Sequence, residues 1–160
     1  MPVDPMRHHR HSLRLPGYDY RQPGFYFVTI CTRNHDCMLG SIVGDKMYLN
    51  DIGCIVQSIW DNLPERFTHV GLDQHCVMPN HLHGLLVLEE PSTVPLGSIV
   101  RAFKGAATRQ IREAGKPAFA WQDDFYERIV RDDRALARIR QYILDNPARW
   151  TEDRFYAGTR

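Results

Sequence analysis

Apolar and polar positions along the chain alternate in some stretches and recur at helical spacing in others. Phe25-Tyr26-Phe27-Val28-Thr29-Ile30-Cys31 is aromatic and β-branched and predicts a strand. Residues 36–50 predict a short hairpin, with Gly40 and Gly44-Asp45 as turn signals. Asn50 or Asp51 caps a helix that carries Ile52, Ile55, Val56, Ile59 and Trp60 on one face and ends before Pro64. A second strand covers 69–78, Met78-Pro79-Asn80 turns the chain, and His81 to Leu88 forms a third strand. After a loop at Glu89–Thr93, Leu96, Ile99, Val100, Phe103, Ala107 and Ile111 line one face of a helix from about Pro95 to Ala114. Gly115-Lys116-Pro117 breaks it, and residues 119–130 hold a final strand. Asp132 or Asp133 caps a last helix with Leu136, Ile139 and Ile143 on its buried side, and Pro147 stops it.

Strand, helix, strand, strand, helix, strand, helix is the ferredoxin-like, RRM-like split βαβ pattern of an α+β domain. The expectation is an antiparallel sheet with helices on one face and an extra C-terminal helix. Residues 1–23 read as an N-terminal arm, 24–150 as one domain and 151–160 as a tail. The 160 residues, 43% of them hydrophobic and 24% charged, suit a single globular domain. No run approaches the ~18 apolar residues of a membrane span, and the N-terminus lacks a secretory h-region. Cys31, Cys37, Cys54 and Cys76 form no CxxC pair, and the expectation is buried free thiols in a reducing cytoplasm.

A net charge of +1 hides an asymmetry: residues 24–100 carry three basic against eight acidic side chains, and 101–160 thirteen against nine. The basic residues are mostly arginine, whose planar fork suits phosphate. Either the C-terminal third and the N-terminal arm face a polyanion, or these are solvated helix faces.

His81 and His83 are two apart on a predicted strand, so both imidazoles share a face and Leu82 points the other way. The pair can hold a metal ion or be structural. Tyr142 and Asn146, four apart, share a face of the last helix one turn from each other. Taken alone, the tyrosine reads as packing and the asparagine as a helix stop, because a residue before proline is biased out of the α region. Leu85 excludes a histidine triad, and HExxH and HxE…PCxxC motifs are absent. His8, His9 and His11 offer at most adventitious metal binding.

Val77-Met78-Pro79-Asn80-His81-Leu82-His83-Gly84, with Tyr142-Ile143-Leu144-Asp145-Asn146-Pro147 far downstream, resembles the HUH single-tyrosine transposases, and most of all their REP-associated branch with its IS200-like domain. Gly17-Tyr18-Asp19-Tyr20 and Trp121-Gln122 before Phe125-Tyr126-Glu127 extend the resemblance to roughly residues 12–150. It implies His81 and His83 as metal ligands, Asn146 completing the site, and Tyr142 as a nucleophile forming a 5′-phosphotyrosine. It implies Mg²⁺ or Mn²⁺ as cofactor and hairpin-bearing single-stranded DNA as partner. It leaves open whether Tyr142 serves its own chain or a partner's in a homodimer. Arg101, Lys104, Arg128, Arg131, Arg138 and Arg149 are the candidate DNA contacts, with Arg128 standing where relatives place a histidine. Tyr18, Trp121 and Tyr126 are candidate base-stacking platforms or core. Arg138 is the candidate for stabilising a phenolate and Asp145 for accepting its proton. The rival function is a non-catalytic nucleic-acid-binding module of the same fold.

Overall fold

The computed structural model describes residues 17–90 and 94–157. Most of the expected arm, with His8, His9 and His11, lies outside the described residues. β1 (Gly24–Cys31), β4 (Val70–Met78), β5 (His81–Leu88) and β6 (Tyr126–Val130) form one antiparallel sheet in the order β4-β5-β1-β6. That is the split βαβ arrangement. A separate hairpin, β2 (Gly40–Val43) and β3 (Lys46–Leu49), is inserted after β1. Its two-residue turn is Gly44-Asp45, and Gly44 takes the φ of +61° that this tight turn demands. Gly40 is not a turn residue; it opens β2 opposite Leu49.

α1 (Asp51–Asp61) starts where Asn50 caps it, the side chain accepting from the Gly53 N–H at 2.9 Å. A short α2 (Leu63–Arg66) follows, with Pro64 in its first turn, where proline costs no hydrogen bond. α3 is Leu96–Glu113. Trp60 of α1 and Phe103 of α3 pack with Tyr26, Val28, Leu82 and Leu86 on one face of the sheet. α4 (Asp133–Asp145), capped by Asp132, covers the opposite face, where Leu136, Ile139 and Ile143 meet Leu85, Phe25 and Phe27. The alternation along β5 therefore sends His81, His83 and Leu85 toward α4, and Leu82, Gly84 and Leu86 toward α1 and α3.

The structure corrects several expectations. The last strand begins at Tyr126 rather than near 119: Phe119 and Trp121 are apolar because they are buried in the core, Trp121 making a lone bridge to Thr32. α4 ends at Asp145, as Pro147 predicts, but the chain does not leave helical structure there. Asn146 keeps α-helical angles (φ −58°, ψ −45°), and Pro147 opens a 3₁₀ helix, Pro147–Glu152, because its missing N–H falls in a first turn. Residues 151–157, set apart as a tail, pack back onto the sheet through the buried Phe155. The cysteines are free, but Cys37 and Cys54 are exposed. No helix among the described residues is long and apolar enough to cross a membrane.

Candidate metal centre and tyrosine site

The Pro79-Asn80 turn delivers His81 and His83 to the first positions of β5, and both are almost fully buried, at 0% and 2% exposure. They are not a solvated pair. Their Nε2 atoms face each other at 3.1 Å. Asn80 fixes His81. Its amide nitrogen donates to the carbonyls of His35 (3.1 Å) and Phe155 (2.7 Å), so its oxygen is the atom turned to His81 Nδ1, at 2.7 Å. His81 must therefore donate from Nδ1, leaving a bare lone pair on Nε2. His83 Nδ1 meets Thr29 Oγ1 at 2.7 Å across the β1–β5 pairing. The threonine hydroxyl rotates, so it serves either tautomer of His83: a proton shared between the two Nε2 atoms, or a second bare lone pair.

Two more acceptors converge here. Asp153 Oδ2 lies 3.6 Å from His81 Nε2 on a side chain with no exposed surface. Asp153 Oδ2 and Asn146 Oδ1 are both buried without a hydrogen-bond partner. Buried acceptors without donors are costly, and a cation satisfies all of them at once. His81, His83 and Asp153 bring their donor atoms within 4.8 Å of one another. Burial pushes the His81 imidazole down to about 3 and His83 well below the usual histidine value. Both rings are neutral near pH 7, the form that binds metal. The residues thus fit a divalent ion.

Tyr142 stands over this cluster, its ring centroid 5.4 Å from that of His83 and 6.3 Å from that of Phe27. It is 43% exposed and lines the cavity beside it. Partial burial, with Asp153 close by, raises its pKa above the ordinary tyrosine value, while Asn146 acts in the opposite direction. Asn146 sits one turn on and is buried toward the histidines.

The cavity beside Tyr142, about 460 Å³, is lined by His83, Thr29, Arg128, Arg138 and Arg154 among others. Arg128, Arg131 and Arg138 line an adjoining depression along β6, the edge strand. Arg149 is exposed and pairs with Glu152 at 3.0 Å. Arg101 and Lys104 are not brought to this site: they belong to α3, across the sheet, where Lys104 Nζ donates to the carbonyls of Gln122, Asp123 and Asp124 at 2.5–3.4 Å. Asp145 accepts from Gln141. Trp121 is core; Tyr18 packs edge-on against Tyr20, and Tyr126 lies against Phe155 under Arg154. Sequence reasoning missed Thr29, Asn80 and Asp153. Asn80, adjacent to His81, was legible only as a turn residue.

Residues 46–146 match the family model described as "Transposase IS200 like". A Haemophilus influenzae protein of uncharacterised function is 38% identical over 93% of this chain and 94% of its own length. A second protein of that organism, carried under the name of a candidate REP-associated tyrosine transposase, is 26% identical over 82% of this chain and 74% of its own. Among solved structures, a REP-associated tyrosine transposase bound to a REP hairpin superposes with a TM-score of 0.64 at 20% identity, covering 85% of this chain and 73% of that one. A Deinococcus radiodurans protein described as a candidate transposase gives 0.54 at 20% identity, covering 82% and 95%.

Proposed function

The chain belongs to the IS200-like transposase family, allied with its REP-associated tyrosine transposases, and from that premise we propose that it cuts and rejoins hairpin-bearing single-stranded DNA through a covalent Tyr142 intermediate. The observation that carries the proposal is Tyr142 standing over His83 at the edge of a buried acceptor cluster. His81 and His83, with Asn146 Oδ1, would hold the divalent ion, Mg²⁺ or Mn²⁺. The bound ion supplies neutralisation of phosphate charge, which a phosphodiester needs before an anionic nucleophile can approach.

The protein's own groups account for the remaining steps. Thr29 and Asn80 fix the two imidazoles and leave Nε2 of each facing the cluster. Arg128 and Arg138 line the cavity beside Tyr142 and would bind the phosphates flanking the scissile bond. The Tyr142 Oη forms a bond to phosphorus as the P–O3′ bond breaks, giving a 5′-phosphotyrosine and a free 3′-hydroxyl. The tyrosine proton leaves to solvent and the 3′-oxygen takes one up. Arg154 and Arg149 favour the phenolate, and Arg138, one turn before Tyr142, would add to them. Reversal with a different 3′-hydroxyl rejoins strands without an external energy source.

The test is incubation with a single-stranded hairpin oligonucleotide and Mn²⁺ or Mg²⁺, followed by denaturing electrophoresis. A covalent adduct on the 5′-phosphate of the fragment lying 3′ to the cut, lost in Tyr142→Phe, is expected. Binding without an adduct under either ion would leave a non-catalytic binding module instead.

A further inference from the structure

We propose that Asp153, from the segment after the tyrosine helix, is a protein ligand of the metal site, so that two imidazoles and a carboxylate grip the ion. This rests on the metal-assisted reading and adds a residue to it. The Asp153 side chain has no exposed surface, yet its Oδ2 has no hydrogen-bond partner and lies 3.6 Å from His81 Nε2. A lone buried carboxylate oxygen without a donor is the arrangement that a bound cation stabilises and that an empty fold penalises. Its other oxygen is fixed: Oδ1 accepts the Phe155 N–H at 2.7 Å. Phe155 is itself anchored, its ring 5.0 Å from that of His81 and its carbonyl held by Asn80, the residue that orients His81. The Asp153–Phe155 segment therefore presents one ligand and, through Asn80, sets the tautomer of another. Asp153 differs from Asn146 in kind. Its carboxylate brings a full negative charge to an otherwise neutral donor set. Two imidazoles with a carboxylate also favour Mn²⁺ over Mg²⁺, whose preferred donors are all oxygen.

The experiment titrates the full chain with Mn²⁺ in the absence of DNA, by calorimetry and by loss of the free-ion EPR signal. Asp153→Asn keeps the shape and the Oδ1 acceptor for Phe155. It is expected to weaken Mn²⁺ binding at least by the roughly 10–100-fold that outer-sphere changes alone produce. Thermal unfolding gives an independent readout. Without ion, Asp153→Asn should be as stable as the parent or more so, and the rise in melting temperature on adding Mn²⁺ should shrink. Equal Mn²⁺ affinity in the parent and Asp153→Asn, with loss in His83→Ala, overturns this inference and leaves the metal site standing. Absence of ion binding in the parent chain overturns both.

Discussion

Tyr142 and His83 meet within one chain, ring centroids 5.4 Å apart, although α4 and β5 are separated by a helix and a strand. The meeting depends on α4 lying on the sheet face to which His81, His83 and Leu85 point. In this arrangement one chain would complete its own site. Mixing Tyr142→Phe with His83→Ala protein should therefore form no more DNA adduct than either variant alone. Recovery of substantial activity in the mixture would mean that subunits exchange helices.

Asn80 orients His81 from the Nδ1 side, away from the Nε2 that faces His83 and Asp153. Asn80→Ala removes the acceptor for Nδ1 and leaves the carbonyls of His35 and Phe155 without its amide. Loss of such an outer partner should lower metal affinity by roughly 10–100-fold. The buried Phe155 carbonyl left unsatisfied should cost stability, about 1–3 kcal/mol in order of magnitude. Ion titration together with urea unfolding separates the two effects. Unchanged ion affinity would show that the turn, not the amide, positions His81.

Gly84 follows the histidine pair for a reason of packing. A Cβ at this position would lie 2.2 Å from Cζ2 of Trp60, whose ring is fully buried between the sheet and Phe103. Gly84→Ala should destabilise the fold by about 1–3 kcal/mol through overpacking. Trp60→Leu in the same chain should recover part of that loss, because the smaller side chain makes room. Additive losses in the double variant would exclude the steric account.

These residues mark what was legible in the sequence. Period-two alternation placed both histidines on one face, and Asn50 and Asp132 announced the helices they cap, because these are local signals. The side of the sheet that each helix covers is not local. Arg101 and Lys104 read as DNA contacts from the basic C-terminal third and the family resemblance, but only the packed fold sets α3 across the sheet from Tyr142. Asp153 was hidden for a similar reason. Proline after Asn146 reads as a stop, and α4 does end at Asp145, but the chain then uses Pro147 to begin another turn that folds back over the histidines.

Arg140 clamps α4 to the sheet edge through Asp73, Nε and Nη2 each bonding one carboxylate oxygen at 2.9 and 2.7 Å. The guanidinium hydrogen bonds hold the Asp73 carboxyl below the ordinary aspartate range, against a smaller opposing effect of burial. A carboxyl depressed in the folded state stabilises fully above its unfolded pKa of ~3.9 and loses that contribution as pH falls through the lower folded value. Asp73→Asn should therefore be less stable than the parent at pH 7, and the difference should close toward strongly acidic pH. Urea midpoints measured from pH 7 to pH 2 test this; a gap that stays constant across the range would show that the ion pair contributes nothing.

Arg128, Arg131 and Arg138 follow the exposed edge strand β6 and the start of α4 to the cavity beside Tyr142. If that edge is the path of the DNA backbone, each arginine neutralises a phosphate and releases counterions. For a single strand the logarithm of the binding constant then falls with log salt by about 0.7 per contact. Arg128→Ala and Arg138→Ala should each reduce that slope by about 0.7 and weaken binding across sequences rather than for one sequence alone. Arg101→Ala, on the far face, should leave the slope unchanged. Filter binding or fluorescence anisotropy on a hairpin oligonucleotide at several salt concentrations reads all three. A slope reduced by Arg101→Ala but not by Arg128→Ala or Arg138→Ala would move the DNA to the α3 face, and Tyr142 would then have to reach its phosphate from the other side of the sheet.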